Sequence, residues 1–214
     1  MAAEPDHSEA VAHLRAADPV MAGIMEQVGP CLLGSRTDRG GPAHDHYGAL
    51  LRAIVGQQLS VSAARSIYGR LTDRYGGRTP SPAKLLADDP EELRAAAGLS
   101  RSKVAFLRDL AERLESGALR LDDMEDVPDD EVAGRLIEVK GVGQWTVDMY
   151  LLFHLGRPDV LPVGDLGVRR AAMLAYRLRK LPQPPRLVKL ARPWRPWRSV
   201  ASWYLWASLR VVPV

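Results

Sequence analysis

Apolar positions along this chain return at steps of three and four, the spacing of helices with one buried face. Alternation of apolar and polar residues, the mark of a half-buried strand, is scarce, so no substantial sheet is expected and the fold class is all-α. Val11, Leu14, Val20, Ile24 and Val28 place helix over residues 10–28, interrupted at Asp18-Pro19 because proline cannot continue a helical ladder. Residues 29–48 are crowded with glycine and proline and read as loop. Tyr47, Leu50, Leu51, Ile54 and Val55 mark a helix over 47–58. Another follows over 60–75, capped by Ser60 or Ser62 and stopped at Gly76-Gly77. Ser81-Pro82 and Asp89-Pro90 each open a short helix, since proline suits a first turn, and Gly98 closes the second. Ser100 or Ser102 caps a helix over 103–116, ended by Gly117, and Val127-Pro128-Asp129 opens one to about Val139. No internal repeat breaks this succession.

A chain of 214 residues is one or two domains. The expected division is an N-terminal helix and loop over 1–45 that packs with the C-terminal part, a central helical bundle over 46–160, and basic C-terminal helices over 161–214. A single helical unit and a split near Ser100 are the alternatives. Cys31 is the one cysteine, which excludes a disulfide framework, a four-cysteine zinc site and a cysteine-ligated iron–sulfur cluster. The histidines lack metal-site spacing; the nearest pair, His44-x-His46, sits in the loop and reads as solvated. No apolar run reaches the roughly 18 residues of a membrane span, and the acidic N-terminus lacks a signal-peptide pattern. A cytoplasmic protein is expected, and without a long heptad seam a monomer.

Charge changes the picture. The net charge is +3, yet from Leu166 to the C-terminus there are eleven Arg or Lys and no Asp or Glu. The preceding part holds 18 basic against 26 acidic residues. Trp194, Trp197, Trp203 and Trp206 interleave with the cations, a composition that suits a polyanion. A solvated basic helix face has the same charge pattern. Trp203 and Trp206, three apart on a helix, read as core.

The most specific stretch is 136–148, Leu-Ile-Glu-Val-Lys-Gly-Val-Gly-Gln-Trp-Thr-Val-Asp. A helix ends near Val139, Gly141-Val142-Gly143 turns, and a helix over 144–155 begins. Glycine at both outer positions permits positive φ and removes side chains where another backbone would approach. The N–H groups of the turn and of the next helix start would then face an anion. Gly-x-Gly alone is a weak signal, and by itself it reads first as a plain helix–turn–helix connection. Downstream, Val160-Leu-Pro-Val-Gly-Asp-Leu-Gly-Val168 puts Asp165 at the start of a helix over 166–178. By itself Asp165 is a good N-cap, worth about 1 kcal/mol.

Hairpin, spacing and aspartate together resemble the helix-hairpin-helix DNA glycosylase superfamily. Arg52-Ala-Ile-Val-Gly-Gln-Gln-Leu-Ser-Val-Ser-Ala-Ala64 and Arg195-Pro-Trp-Arg-Ser199 narrow the resemblance to the 3-methyladenine DNA glycosylase II family. It covers about Tyr47 to Leu209 and is to the short form, without an extra N-terminal domain. The fold it implies has two helical lobes with the active-site cleft between them. The activity it implies is that of a monofunctional glycosylase of base excision repair. Such an enzyme hydrolyses the N-glycosidic bond of alkylated purines flipped out of duplex DNA, of the 3-methyladenine and 7-methylguanine type, and leaves an abasic site. It would act on damaged duplex DNA as a monomer in the bacterial cytosol and nucleoid, away from membranes, with no cofactor required.

The resemblance also implies roles. Asp165 becomes the catalytic carboxylate, stabilising an oxocarbenium-like sugar or activating water. Trp145 stands where strand-cutting members hold a Schiff-base lysine, so lyase activity is not expected; Lys140 lies on the hairpin, off that position. On sequence alone Trp145 reads equally as core. Trp145 and Trp197, with Met149 where some members place an aromatic, would line a base pocket suited to a cationic purine. Gln57 and Gln58 precede the helix at Ser60, with Gln58 at the wedge position that fills the vacated stack. DNA contacts are further implied for Lys140, Gly141, Val142, Gly143 and Arg169. A structural Na+ or K+ would sit on the backbone carbonyls of Ile137, Val139 and Val142. The competing readings are a same-fold glycosylase with a wider or different lesion range and a non-catalytic, structure-specific DNA-binding module.

Overall fold

The computed structural model of the protein describes residues 6–35 and 45–211. His44, and with it the His44-x-His46 pair, lies outside the described residues, as do the first five residues and 36–43 of the glycine- and proline-rich stretch. Among the described residues there is helix, turn and bend but no strand. No described helix is long and apolar enough to cross a membrane. The chain divides into two compact units, Met1–Gly41 with Leu151–Val214, and Pro42–Tyr150. The borders lie at 41/42 and 150/151, beside the expected breaks after 45 and 160. The second border falls inside a continuous helix, where no glycine or proline marks it.

The discontinuous unit begins with α1 (Ser8–Ala17) and α2 (Pro19–Val28), separated by Asp18. Its later part holds α10 (Leu166–Ala175), α11 (Pro184–Leu190), a 3-10 turn (Arg192–Trp194) and α12 (Arg198–Val211). Neither α11 nor the turn was anticipated from sequence. Helix α12 packs on α2 and α10. The core is Leu14, Met21, Ile24, Val168, Ala172, Leu187, Val200 and Leu205. Asp18 is the polar centre of this core, only 7% exposed. Its Oδ1 caps α2, accepting from the N–H groups of Val20 and Met21 at 2.9 and 3.2 Å. Its Oδ2 accepts from Tyr176 Oη at 2.6 Å and Trp194 Nε1 at 2.8 Å. Burial pushes the Tyr176 phenol well above its usual range, so it stays a donor.

The continuous unit runs α3 (His46–Gly56), α4 (Val61–Asp73), α5 (Pro82–Ala87), α6 (Pro90–Ala97), α7 (Arg101–Glu115), α8 (Asp129–Ile137) and most of α9 (Gln144–Phe153). Asp45, Ser60, Ser81, Asp89 and Ser100 cap the first five of these through their side chains. Helix α3 thus starts at His46, one residue before the expected start at Tyr47. His46 Nδ1 lies 2.7 Å from the hydroxyl of the buried Tyr150. Leu50, Leu51, Ile54 and Val55 of α3 are buried, as are Leu71, Leu85, Leu93, Leu107, Leu110, Val132 and Leu136, and α3 packs on α4 and α7. Arg74 grips Asp88 through two bonds of 2.6 Å, and the Tyr75 hydroxyl adds a third of 2.6 Å.

Candidate active site

Asp165 belongs to the discontinuous unit. Its loop folds on itself, Asp165 N–H donating to Pro162 O at 3.0 Å, and delivers the residue to the N-cap of α10. Two donors hold the carboxylate at Oδ1: Val168 N–H at 2.8 Å and the indole Nε1 of Trp206 at 2.8 Å. Trp206 was expected in the core beside Trp203. Trp203 is indeed buried, its ring edge-on to Tyr204 with centroids 5.1 Å apart. Trp206 is only half-buried and serves Asp165 instead. The reason is tertiary: three-residue spacing fixes a face of the helix, not the partner that face meets. The one available hint was chemical, since a covered indole N–H needs an acceptor. The Trp206 ring also lies on Phe153, with centroids 5.6 Å apart. Gly167 makes room for this approach: a Cβ there would stand 3.0 Å from Asp165 Oδ1 and from Cδ1 and Nε1 of the indole.

The Arg195–Ser199 segment turns out to be a latch in the same unit. Arg198 places Nε on Asp159 Oδ1 at 2.6 Å and Nη2 on Asp159 Oδ2 at 2.9 Å and on its carbonyl at 2.7 Å. Ser199 Oγ donates to Arg157 O at 2.5 Å and accepts from Val160 N–H at 3.0 Å. These bonds fasten the strand of chain that leads into Asp165. Trp197, one residue before Arg198, stays half-exposed, while Trp194 is wholly buried on Asp18. Arg169 donates Nε to Pro182 O at 2.9 Å, tying α10 to the segment before α11.

The hairpin lies in the continuous unit, between α8 and α9. Gly141 takes φ +79°, and a Cβ on it would stand 2.2 Å from Phe106 Cδ2, so glycine is required there twice over. Gly143 needs neither allowance: its φ is not positive and nothing lies within 4 Å of where its Cβ would be. The expectation of positive φ at both glycines is corrected accordingly. Gly143 leaves its outer surface open. Among the described residues, the N–H groups of Gly141, Gly143 and Gln144 donate to no protein acceptor. The Lys140 N–H is engaged by Asp109 Oδ2 at 2.8 Å, while its side chain belongs to an exposed residue. Val142 is buried, and its N–H donates to Val139 O at 3.0 Å. Trp145 is half-exposed at the start of α9, and Met149, a turn later, is 7% exposed.

The loop between α3 and α4 stands beside the hairpin. Gln57 does not present its amide outward; Nε2 donates to Gly141 O at 2.9 Å and to Thr146 Oγ1 at 3.0 Å. Lys103 Nζ donates to Val55 O at 2.7 Å and Gln57 O at 2.9 Å, capping the end of α3, and its burial lowers its affinity for a proton. Sequence reasoning missed Lys103, which no motif marks. Gln58, next in line, is exposed and takes φ +57°, a strained conformation for a residue with a Cβ.

Comparison with known proteins gives this geometry a family. Residues 51–196 match the description of the HhH-GPD superfamily base excision DNA repair proteins. The DNA-3-methyladenine glycosylase 1 of Schizosaccharomyces pombe is 32% identical over 206 residues, covering 95% of this chain and 88% of the relative. The solved 3-methyladenine DNA glycosylase of that yeast, in complex with abasic DNA, superposes with a TM-score of 0.84 at 33% identity, over 93% of this chain and 95% of the other. A DNA-3-methyladenine glycosidase from Bacillus halodurans superposes with a TM-score of 0.76 at 35% identity, over 93% and 88% of the two chains. The hairpin, the capped aspartate and the Arg195–Ser199 latch all fall in or against the matched stretch, and the chain belongs to the HhH-GPD superfamily of base excision DNA repair proteins.

Proposed function

We propose that the protein is a monofunctional DNA glycosylase that removes alkylated purines, of the 3-methyladenine and 7-methylguanine type, from duplex DNA. The carrying observation is the Asp165 carboxylate, fixed at the N-cap of α10 by a backbone N–H and an indole N–H. A carboxylate held in one orientation stabilises positive charge developing on a deoxyribose. Water adds to C1′ as the C1′–N bond breaks; the bond pair leaves with the cationic base, which departs neutral, and the added water gives its surplus proton to bulk water, leaving a C1′ hydroxyl. Asp165 stabilises the cationic sugar and orients the water. An N3- or N7-alkylated purine is already cationic and departs without a strong general acid. The half-exposed indoles of Trp145 and Trp197 offer the electron-rich faces that a cationic base prefers. With Trp145 at the start of α9 no lysine stands there to form a Schiff base, and the product is an intact strand with an abasic site.

DNA is gripped by the hairpin. The unengaged N–H groups of Gly141, Gly143 and Gln144, at the positive end of α9, suit a phosphate, and Lys140 adds a charge beside it. The exposed Gln58 is the wedge for the vacated stack. Backbone carbonyls are hard oxygens of the kind Na+ or K+ takes, and those of Ile137, Val139 and Val142 would hold such an ion, although Val139 O already accepts one N–H. Such an ion would lend positive charge toward a phosphate and takes no part in the chemistry. The protein needs no other cofactor in this reading. It works as a monomer in the compartment that holds the chromosome, the bacterial cytosol and nucleoid.

The test is release of methylated bases from heavily alkylated duplex DNA, with Asp165→Asn alongside and strand breaks scored before and after alkali. Release by the wild type alone, with breaks only after alkali, is expected. Undiminished release by the Asn variant would overturn the role of Asp165, and breaks without alkali would overturn the monofunctional assignment.

A further inference from the structure

We infer that Trp206 is the positioning residue of Asp165, holding the carboxylate in the one rotamer from which it serves the sugar. The inference rests on the reading of Asp165 as the catalytic carboxylate. Three observations carry it. The indole Nε1 donates to Asp165 Oδ1 at 2.8 Å, the same oxygen that accepts from Val168 N–H. Two donors on one oxygen, one from backbone and one from a rigid ring 41 residues away in sequence, fix both torsions of a short side chain. The ring is itself held, against Phe153 on one side. Above the carboxylate, Gly167 carries no side chain, and any Cβ there would press on the indole Nε1 and on Asp165 Oδ1 alike, at 3.0 Å.

An N-cap aspartate needs only the N–H of its third helical residue, which Val168 supplies. The indole bond is additional to the needs of the helix. It also spends the one donor of a half-buried tryptophan on a group whose charge is required elsewhere. A hydrogen bond donated to a carboxylate is roughly twice as strong as a neutral one, and its directional demand is what removes rotational freedom. Proximity of this kind is worth most when the reacting group must meet its target within a few tenths of an ångström.

Trp206→Phe keeps an aromatic ring against Phe153 and deletes the N–H. Its single-turnover rate of base release is expected to fall on the order of 10- to 100-fold, the range for loss of a bond to a charged group. Affinity for duplex DNA carrying an uncleavable abasic analogue is expected to stay within about twofold, because the hairpin is untouched. Gly167→Ala presses on the indole and on Asp165 Oδ1 together, leaving the indole itself unaltered, and is expected to slow release too. In the Trp206→Phe background the alanine is expected to cost less, because its action through the indole N–H is gone while its pressure on Asp165 Oδ1 stays. A Trp206→Phe rate within about twofold of wild type, beside an inactive Asp165→Asn, overturns the inference and leaves the proposed function standing. Full activity of Asp165→Asn removes the premise, and the inference falls with it. Equal losses of rate and of analogue binding in both Trp206→Phe and Gly167→Ala would show a structural role only and also overturn it.

Discussion

Gly141 and Gly143 are two residues apart and do different work. Gly141 answers an internal demand, a left-handed backbone pressed against Phe106. Gly143 answers an external one, an open surface next to unengaged N–H groups. Gly141→Ala is therefore expected to unfold the hairpin locally, lowering stability by about 2 kcal/mol or more and weakening DNA binding with it. Gly143→Ala is expected to leave the thermal midpoint nearly unchanged while weakening binding to duplex DNA severalfold. Thermal melts and binding titrations on the two variants separate these outcomes; a Gly143→Ala protein that binds normally would deny the close approach. The sequence made both glycines conspicuous but could not tell them apart, because φ is set by what lies beneath the turn. Phe106 is 35 residues upstream and carries no motif. Asp165 was legible as both cap and candidate carboxylate, and Trp145 as the position without lysine. Trp206 was not, since its partner is a matter of how α12 meets α10.

At the scale of elements, the start signals were the most readable feature, since capping is local chemistry. Ser81 and Asp89 accept from the helices they open, where the sequence places them, and of the two serines open at each of α4 and α7 it is Ser60 and Ser100 that cap. Ends were less readable. Helix α10 stops at Ala175, ahead of the expected 178, with Arg177 at φ +50°. Helix α11 was missed because a Pro-Gln-Pro-Pro run looks like loop, although proline is welcome in a first turn. Two ties between elements have measurable consequences. Asp18 satisfies four donors from three places in the chain. Asp18→Ala strands a half-buried phenol and a buried indole N–H besides removing the cap, and is expected to cost about 3 kcal/mol in urea denaturation. Asp88 is the second. The Arg74 guanidinium, hydrogen-bonded to it, draws its carboxyl down to about 2, and the Tyr75 hydroxyl helps. A depressed carboxyl stabilises the fold above its unfolded value, and this contribution is lost as pH falls through the folded one. Stability is thus expected to decline between about pH 4 and pH 2, by about 1 kcal/mol from this group after solvent screening. Asp88→Asn should begin lower at neutral pH and show a smaller decline across that window; equal declines in both proteins would remove Asp88 as the cause.

For the whole molecule, the eleven cations after residue 165 are not eleven phosphate ligands. Arg198 is committed to the Asp159 carboxylate, so part of the charge that the sequence suggested for DNA is spent on the fold, while Arg169 gives only its Nε to Pro182 O and keeps its charge. The charge asymmetry was legible, but its division between internal and external partners required coordinates. Binding to duplex DNA is expected to weaken linearly in log K against log salt, with a slope near −0.9 per phosphate neutralised. Lys140→Ala is expected to flatten that slope by about one contact. Arg198→Ala is expected to leave the slope unchanged and lower the melting temperature, since Asp159 loses its fork. A reversed pattern, measured by fluorescence anisotropy over a salt series, would reassign the two cations.

The four-donor clasp on Asp18 also bears on the order in which the molecule comes into being. Its donors at Tyr176 and Trp194 leave the ribosome long after Asp18 itself, and the apolar faces of α1 and α2 have no complete partner until α12 follows. At about 5–20 residues per second the wait from residue 35 to residue 211 is roughly 10–30 s. Residues 45–150 emerge whole in the meantime and can fold first, while Met21, Ile24 and Met25 remain uncovered. Newborn chains stalled before α12 should accordingly be protected from protease over 45–150 and open to it over 6–35, the N-terminal helices being made first and finished last.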